Sequence, residues 1–148
     1  MKELTRNKRA FFDYEILEEI EAGIELLGFE VKAAKQGKMS LAGSYAKILG
    51  AEAFLLGADI QPYQPQNTPK DYDQARTRRL LLKRDEIKSI MGKLNESGLT
   101  LVPLRAYIKG RLVKISLGLV RNKKKYDKRE SIKKRDTDRE IRRSLKAK

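Results

Sequence analysis

A chain of 148 residues, 40% of them hydrophobic and 36% charged, suits one domain with a modest core. It has neither Cys nor His, which excludes a Cys/His metal centre, a disulfide framework, a thiol nucleophile and any His triad or His general base. The formal net charge of +14 is lopsided: residues 121–148 carry 14 basic and 5 acidic side chains, against 20 and 15 in the rest, which points to a polyanionic partner, nucleic acid foremost.

Met1 to Ala10 is short and basic and reads as an N-terminal arm. It has no hydrophobic signal region, and no apolar run nears the roughly 18 residues that span a bilayer, so a cytoplasmic protein without a membrane partner is expected. Phe11 to Leu27, FFDYEILEEIEAGIELL, alternates imperfectly; Ala22-Gly23 would break or bend a helix and Gly suits a strand bend or bulge, so the segment is predicted as a strand. Phe29 to Lys35 is predicted as a short helix stopped by Gly37. Ser44 to Ile60 reads as two strands around Gly50, closed by Gly57 and Pro62. Gln61 to Gln74, with Pro62, Pro65 and Pro69, is a loop.

A helix follows, with Ile87, Ile90, Met91 and Leu94 on one face, Asp85 as its expected N-cap and Gly98 as its stop. Thr100 to Val120 is predicted as a hairpin turning at Lys109-Gly110. Beyond Val120 the only aliphatic residues larger than alanine are Ile132, Ile141 and Leu145, too few to offset ordering entropy, so a tail disordered when free is expected. The division expected is therefore an arm over 1–10, an RNA-binding β domain over 11–120 and a basic tail over 121–148. Five or six short antiparallel strands suit a small barrel such as the OB type.

Four constellations bear on function. Arg76, Arg78, Arg79, Lys83 and Arg84 surround Leu80 to Leu82, and guanidinium forks match phosphate oxygens. The opposing reading is a basic helix with its leucines inward. Asn7, Lys8 and Arg9 precede Phe11 and Phe12, rings able to stack on unpaired bases unless they enter the core. Glu15, Glu18, Glu19, Glu21 and Glu25 are the best candidates for a Mg²⁺ nuclease, but their spacing matches no metal motif. No catalytic residue, metal or cofactor is therefore expected. Finally, Lys123, Lys124, Lys125, Tyr126, Asp127, Lys128 and Arg129 set one ring inside a basic run.

Taken in order, NKRA-x-x-DY, EAGIELLG-x-EVK, SY, GAEAFLLGADI-x-P, RTRRLLLKRDEI, TLVPLRAYIKGRLVKISLGL and KKKYDKRESIKKRD resemble the SsrA-binding protein family, also called small protein B, over nearly the whole chain from Asn7. The resemblance implies an OB-fold barrel with flanking helices that acts as a monomeric adaptor in trans-translation. Its partners would be transfer-messenger RNA and the small-subunit rRNA of stalled ribosomes, with elongation factor Tu delivering the alanyl-charged RNA. It places Asn7, Glu21, Leu81 and Lys114 against the tRNA-like domain. Arg76, Arg78 and Arg79 fall on the family's basic motif. The resemblance puts Tyr126 to Arg129 near the decoding centre in the empty messenger channel, and Ser144 and Leu145 near the tail's end. The chain departs from the family pattern at Phe11-Phe12, where Arg-His is usual, at Phe29 and Thr137, where Trp is common, at Tyr126, where His is common, and at Ser144, where an apolar residue is common. A ribosomal protein or assembly factor that binds rRNA is the alternative.

Overall fold

The computed structural model describes residues 2–123 of the chain, so the tail expectations beyond Lys123 lie outside the described residues. Seven strands form one antiparallel sheet in the order β1-β8-β9-β2-β7-β5-β4. They are β1 (Lys2–Arg6), β2 (Tyr14–Ile24), β4 (Tyr45–Leu49), β5 (Glu52–Leu56), β7 (Arg78–Leu81), β8 (Thr100–Lys109) and β9 (Leu112–Asn122). A separate ladder joins β3 (Met39–Ser40) to β6 (Asp59–Ile60). The far strand β4 returns against β8, rolling the sheet around the main core. Three helices flank it: α1 (Lys8–Asp13), α2 (Gly28–Lys35) and α3 (Arg84–Ser97). The fold is mainly β with flanking helices, as expected.

The β8–β9 hairpin is the spine. Ile115, Leu117 and Leu119 of β9 enter the main core with Leu101 and Ala106 of β8. On the opposite face Val120, Val102 and Leu104 form a second cluster with Ala10 of α1, against which Phe11, Tyr14 and Ile16 pack. Residues 115–120 are consequently buried on both faces, which explains their near-continuous apolar run. Both neighbours of β9 carry a bulge, β2 between Ile16 and Glu18 and β8 between Pro103 and Arg105. The bulge in β2 accounts for the imperfect alternation of that segment.

Several expectations are corrected. Residues 2–6 are no free arm: they pair with β8 from Lys2↔Ile108 to Arg6↔Arg105, because Leu4 reaches the core and the β8 edge offers a ladder. Phe11 and Phe12 do not begin a strand but sit on α1, which Asn7 caps: its Oδ1 accepts the Ala10 N–H at 3.3 Å. The hairpin turns at Gly110-Arg111, one residue later than predicted, with Gly110 at φ 64°. The N-cap of α3 is Lys83 rather than Asp85, and its N–H donates to Glu86 Oε1 at 3.0 Å. Ile87 and Ile90 of α3 are buried, whereas Met91 falls off the apolar face into solvent.

Gly118 is packed where no side chain fits. A Cβ there would lie 2.8 Å from Cδ1 and 2.9 Å from Cγ of Leu104, which is itself fully buried. Gly118→Ala is expected to destabilise the fold by about 1–3 kcal/mol through overpacking. Urea unfolding measures the loss, and Leu104→Ala in the same chain should recover part of it.

Candidate nucleic-acid interface

The basic motif Arg76-Thr77-Arg78-Arg79 is split by the sheet. Strand β7 alternates Arg78 in, Arg79 out, Leu80 in and Leu81 out. Arg78 is 0% exposed and meets Glu30 of α2, also 0% exposed, with Nη2 at 2.6 Å and Nε at 2.9 Å from Oε2. Its remaining donors reach the carbonyls of Ala58 at 2.8 Å and Gln74 at 2.9 Å. Arg76 grips the same carboxylate, Nη2 to Oε1 at 2.5 Å and Nε to Oε2 at 3.1 Å. The Leu27 N–H donates to Oε1 at 2.8 Å, and the Tyr72 hydroxyl lies 2.9 Å from Oε2.

Burial alone would raise the Glu30 pKa; the hydrogen bonds from Arg76, the Leu27 N–H and Arg78 outweigh it and bring it down to about 2. Burial and the neighbouring carboxylate push the Tyr72 phenol up to about 12. Arg78 is thus spent inside the fold, whereas Arg76 is turned to Glu30 with its side chain still partly exposed. Asn7 is 5% exposed, and its Nδ2 donates to the Pro103 carbonyl at 2.9 Å.

Five of the remaining predicted residues converge. Glu21 of β2, Arg79 and Leu81 of β7, Lys83, and Lys114 of β9 line one open groove of about 720 Å³. The register explains the meeting: Leu81 lies opposite Gly23, and Gly23 opposite Lys114. Leu81 is 48% exposed, an apolar side chain held in solvent above Gly23, whose missing Cβ leaves it room: a Cβ there would lie 3.2 Å from that of Leu81. Lys8 and Arg9 stand elsewhere, exposed on α1, with Arg9 3.4 Å from Asp13 in a groove shared with Tyr14 and Tyr45.

Two further residues set up Glu21 and were not singled out from the sequence. The Tyr107 hydroxyl donates to its Oε2 at 2.5 Å, and Lys109 Nζ lies 3.2 Å from Oε1. The Tyr107 bond first, then Lys109, holds the Glu21 carboxyl below its ordinary value, so Glu21 is an anion that only accepts hydrogen bonds. Tyr107 stands opposite Lys114 on β9, and that pairing of alternating strands was the one available signal. Three other glutamates of the acidic group meet bases: Glu15 with Arg121 at 3.0 Å, Glu18 with Lys93 at 2.5 Å and Glu19 with Arg105 at 3.2 Å. Among the described residues, no group of three or more Asp, Glu, His or Cys is arranged to hold a metal ion. The face carries carboxylate acceptors, cations and one exposed leucine, a combination suited to base edges and sugars as well as phosphates. No helix among the described residues is long and apolar enough to cross a membrane.

Residues 4–147 match the family model described as SmpB protein. A SsrA-binding protein of Thermosynechococcus vestitus is 45% identical over 146 residues, 99% of this chain and 96% of that relative. One from Gloeobacter violaceus is 49% identical, covering 97% and 94%, and one from Chloroflexus aggregans is 46% identical, covering 97% and 90%. Among solved structures, one described as "tmRNA-SmpB: a journey to the center of the bacterial ribosome" superposes with a TM-score of 0.68 at 41% identity, over 86% of this chain and 93% of that one.

The Glu30 cluster makes a stability claim. Its folded pKa of about 2 lies below the ordinary 4.5, so its contribution is full above about 4.5 and is lost as pH falls towards 2. Glu30→Gln, which leaves the Arg78 charge buried and unpaired, is expected to cost about 3–5 kcal/mol at pH 7. Urea unfolding at a series of pH values should show the variant losing less of its remaining stability than the parent between pH 4.5 and 2.

Proposed function

The chain belongs to the SmpB family of SsrA-binding proteins, and from that membership we propose how its residues divide the work. It is an RNA-binding adaptor, not an enzyme: it binds transfer-messenger RNA and serves trans-translation on the ribosome. The groove formed by Glu21, Arg79, Leu81, Lys83 and Lys114 takes the tRNA-like domain. Leu81 packs on a sugar or base, Glu21 accepts from base amino groups or ribose hydroxyls, and the cations meet phosphates. The observation that carries this reading is the convergence of three strands on one open groove, with Glu21 fixed by Tyr107 and Lys109.

The tail, Lys123 to Arg129 with Leu145 further on, enters the empty messenger channel, where Tyr126 stacks on a decoding-centre base. Stacking needs a flat ring and no proton chemistry, so Tyr serves where His is usual. Lys8 and Arg9 add phosphate contacts from α1. The monomeric adaptor acts in the cytoplasm, together with elongation factor Tu and the alanyl-charged RNA.

Glu21→Ala and Leu81→Ala are each expected to weaken binding to the tRNA-like domain by about tenfold or more, on the order of 1.4 kcal/mol. Titration at several salt concentrations measures this, and normal binding by both variants would move the site elsewhere. Ending the chain after Lys123 should leave binding to isolated transfer-messenger RNA largely intact while abolishing peptide tagging on stalled ribosomes. Tyr126→Ala should impair tagging and Tyr126→His should not. Binding to rRNA with indifference to transfer-messenger RNA would favour a ribosomal assembly role instead.

A further inference from the structure

Strands β4, β5 and β7 turn their inner residues into the core and leave an outer face with an uncommon composition. Ala53, Leu55, Arg78 and Leu80 are buried on the inner side. Outward, the register sets Lys47 of β4 directly opposite Phe54 of β5, and Phe54 directly opposite Arg79 of β7. One aromatic ring therefore stands between two cations in a row across three strands, with the outer backbones roughly 10 Å apart. Phe54 is only partly buried and belongs to neither hydrophobic cluster. Its core-side neighbours do the packing, so the fold has little use for the ring. Tyr45 stands two residues along β4 from Lys47 on the same outer face, and is exposed.

We infer that this face is a second part of the RNA-binding surface, on which Phe54 stacks against an unpaired base while Lys47 and Arg79 hold the flanking phosphates. The inference rests on the reading that the groove around Glu21, Leu81 and Lys114 takes the RNA. Continuity favours it: Arg79, Glu52 and Ala53 line that same groove, and Leu81 follows two residues after Arg79 on the outer side of β7. Charge favours it as well. Two acids stand near Arg79: Glu25, just past β2, donates its N–H to the Arg79 carbonyl at 2.9 Å, and the Glu52 side chain lies 3.3 Å from the guanidinium, but Arg79 and Glu52 are both about half exposed, and such surface pairs hold weakly enough for a phosphate to take the place of the carboxylate. A part-exposed aromatic between basic side chains on an antiparallel sheet is an arrangement that suits single-stranded loops, whose bases present a π-face whatever their identity.

The test titrates the full chain with a transfer-messenger RNA transcript at several salt concentrations, with thermal midpoints measured alongside. Phe54→Leu, which keeps an apolar side chain but loses the ring, is expected to weaken binding by about five- to hundredfold, and Phe54→Tyr to bind like the parent. Lys47→Gln should lower the salt slope by about one. If Phe54→Leu and Lys47→Gln bind like the parent while Leu81→Ala is weakened, the platform is wrong and the groove stands. If Leu81→Ala also binds normally, the groove fails and takes the platform with it. Should Phe54→Leu lose its fold, Lys47→Gln and Arg79→Gln decide: unchanged salt slopes in both overturn the proposal.

Discussion

One buried carboxylate organises the molecule. Glu30, carried by a two-turn helix, receives Arg76, Arg78, Tyr72 and the Leu27 backbone, and through Arg78 it reaches the carbonyls of Ala58 and Gln74. Burying an ion pair costs nearly as much desolvation energy as the attraction returns, so the cluster's value is less net stability than geometry. It ties α2, the proline-containing loop and the start of β7 to one point. With Arg78 drawn inward, the two-residue period of the strand forces Arg79 and Leu81 outward. The groove and its neighbouring row of Lys47, Phe54 and Arg79 therefore inherit their orientation from a salt bridge on the other side of the sheet.

The same inversion sets how much the sequence discloses. The β4–β5 and β8–β9 hairpins and α3 follow ordinary patterning, and composition and glycine placement locate them. Strand β7 buries an arginine and exposes a leucine, so a reading that sends apolar side chains inward must misread it, and a helix with inward leucines was the natural alternative. The N-terminal ten residues look like an arm because their basic side chains hide a single inward leucine, Leu4, and because only tertiary structure supplies the β8 edge. For the site, resemblance singled out Glu21, Leu81 and Lys114, but their meeting depends on register among β2, β7 and β9, which no local pattern encodes. Tyr107 and Gly23 escaped for the same reason: each matters through a residue on another strand.

The interface reading also refines what the +14 charge does. On the groove face glutamates alternate with lysines and arginines, and most of the described acidic group lies within ion-pair distance of a base. A uniformly basic face would hold any phosphate backbone about equally well. In the proposed interface, interspersed anions would repel phosphates that arrive out of place and accept from base and sugar donors that arrive in place, so part of the discrimination would come from repulsion. Most of the excess of positive charge lies instead in the segment 121–148, which starts in the last two residues of β9.

β9 joins these two regions. It begins beside the groove, with Lys114, and ends at Asn122, where it pairs with Tyr14 and the Lys123 N–H donates to the Asp13 carbonyl. Its neighbours are bulged, but β9 itself carries no extra residue and is covered on both faces over 115–120. Eight residue steps of extended chain span roughly 26 Å. The strand is in effect a ruler, fixing the offset between the groove proposed to take RNA and Lys123, where the described chain ends. A one-residue insertion in it would change that offset by only about 3 Å, yet would turn every later side chain to the wrong face. The length of the ruler is thus protected by the packing of the core, and the two contacts cannot drift apart independently.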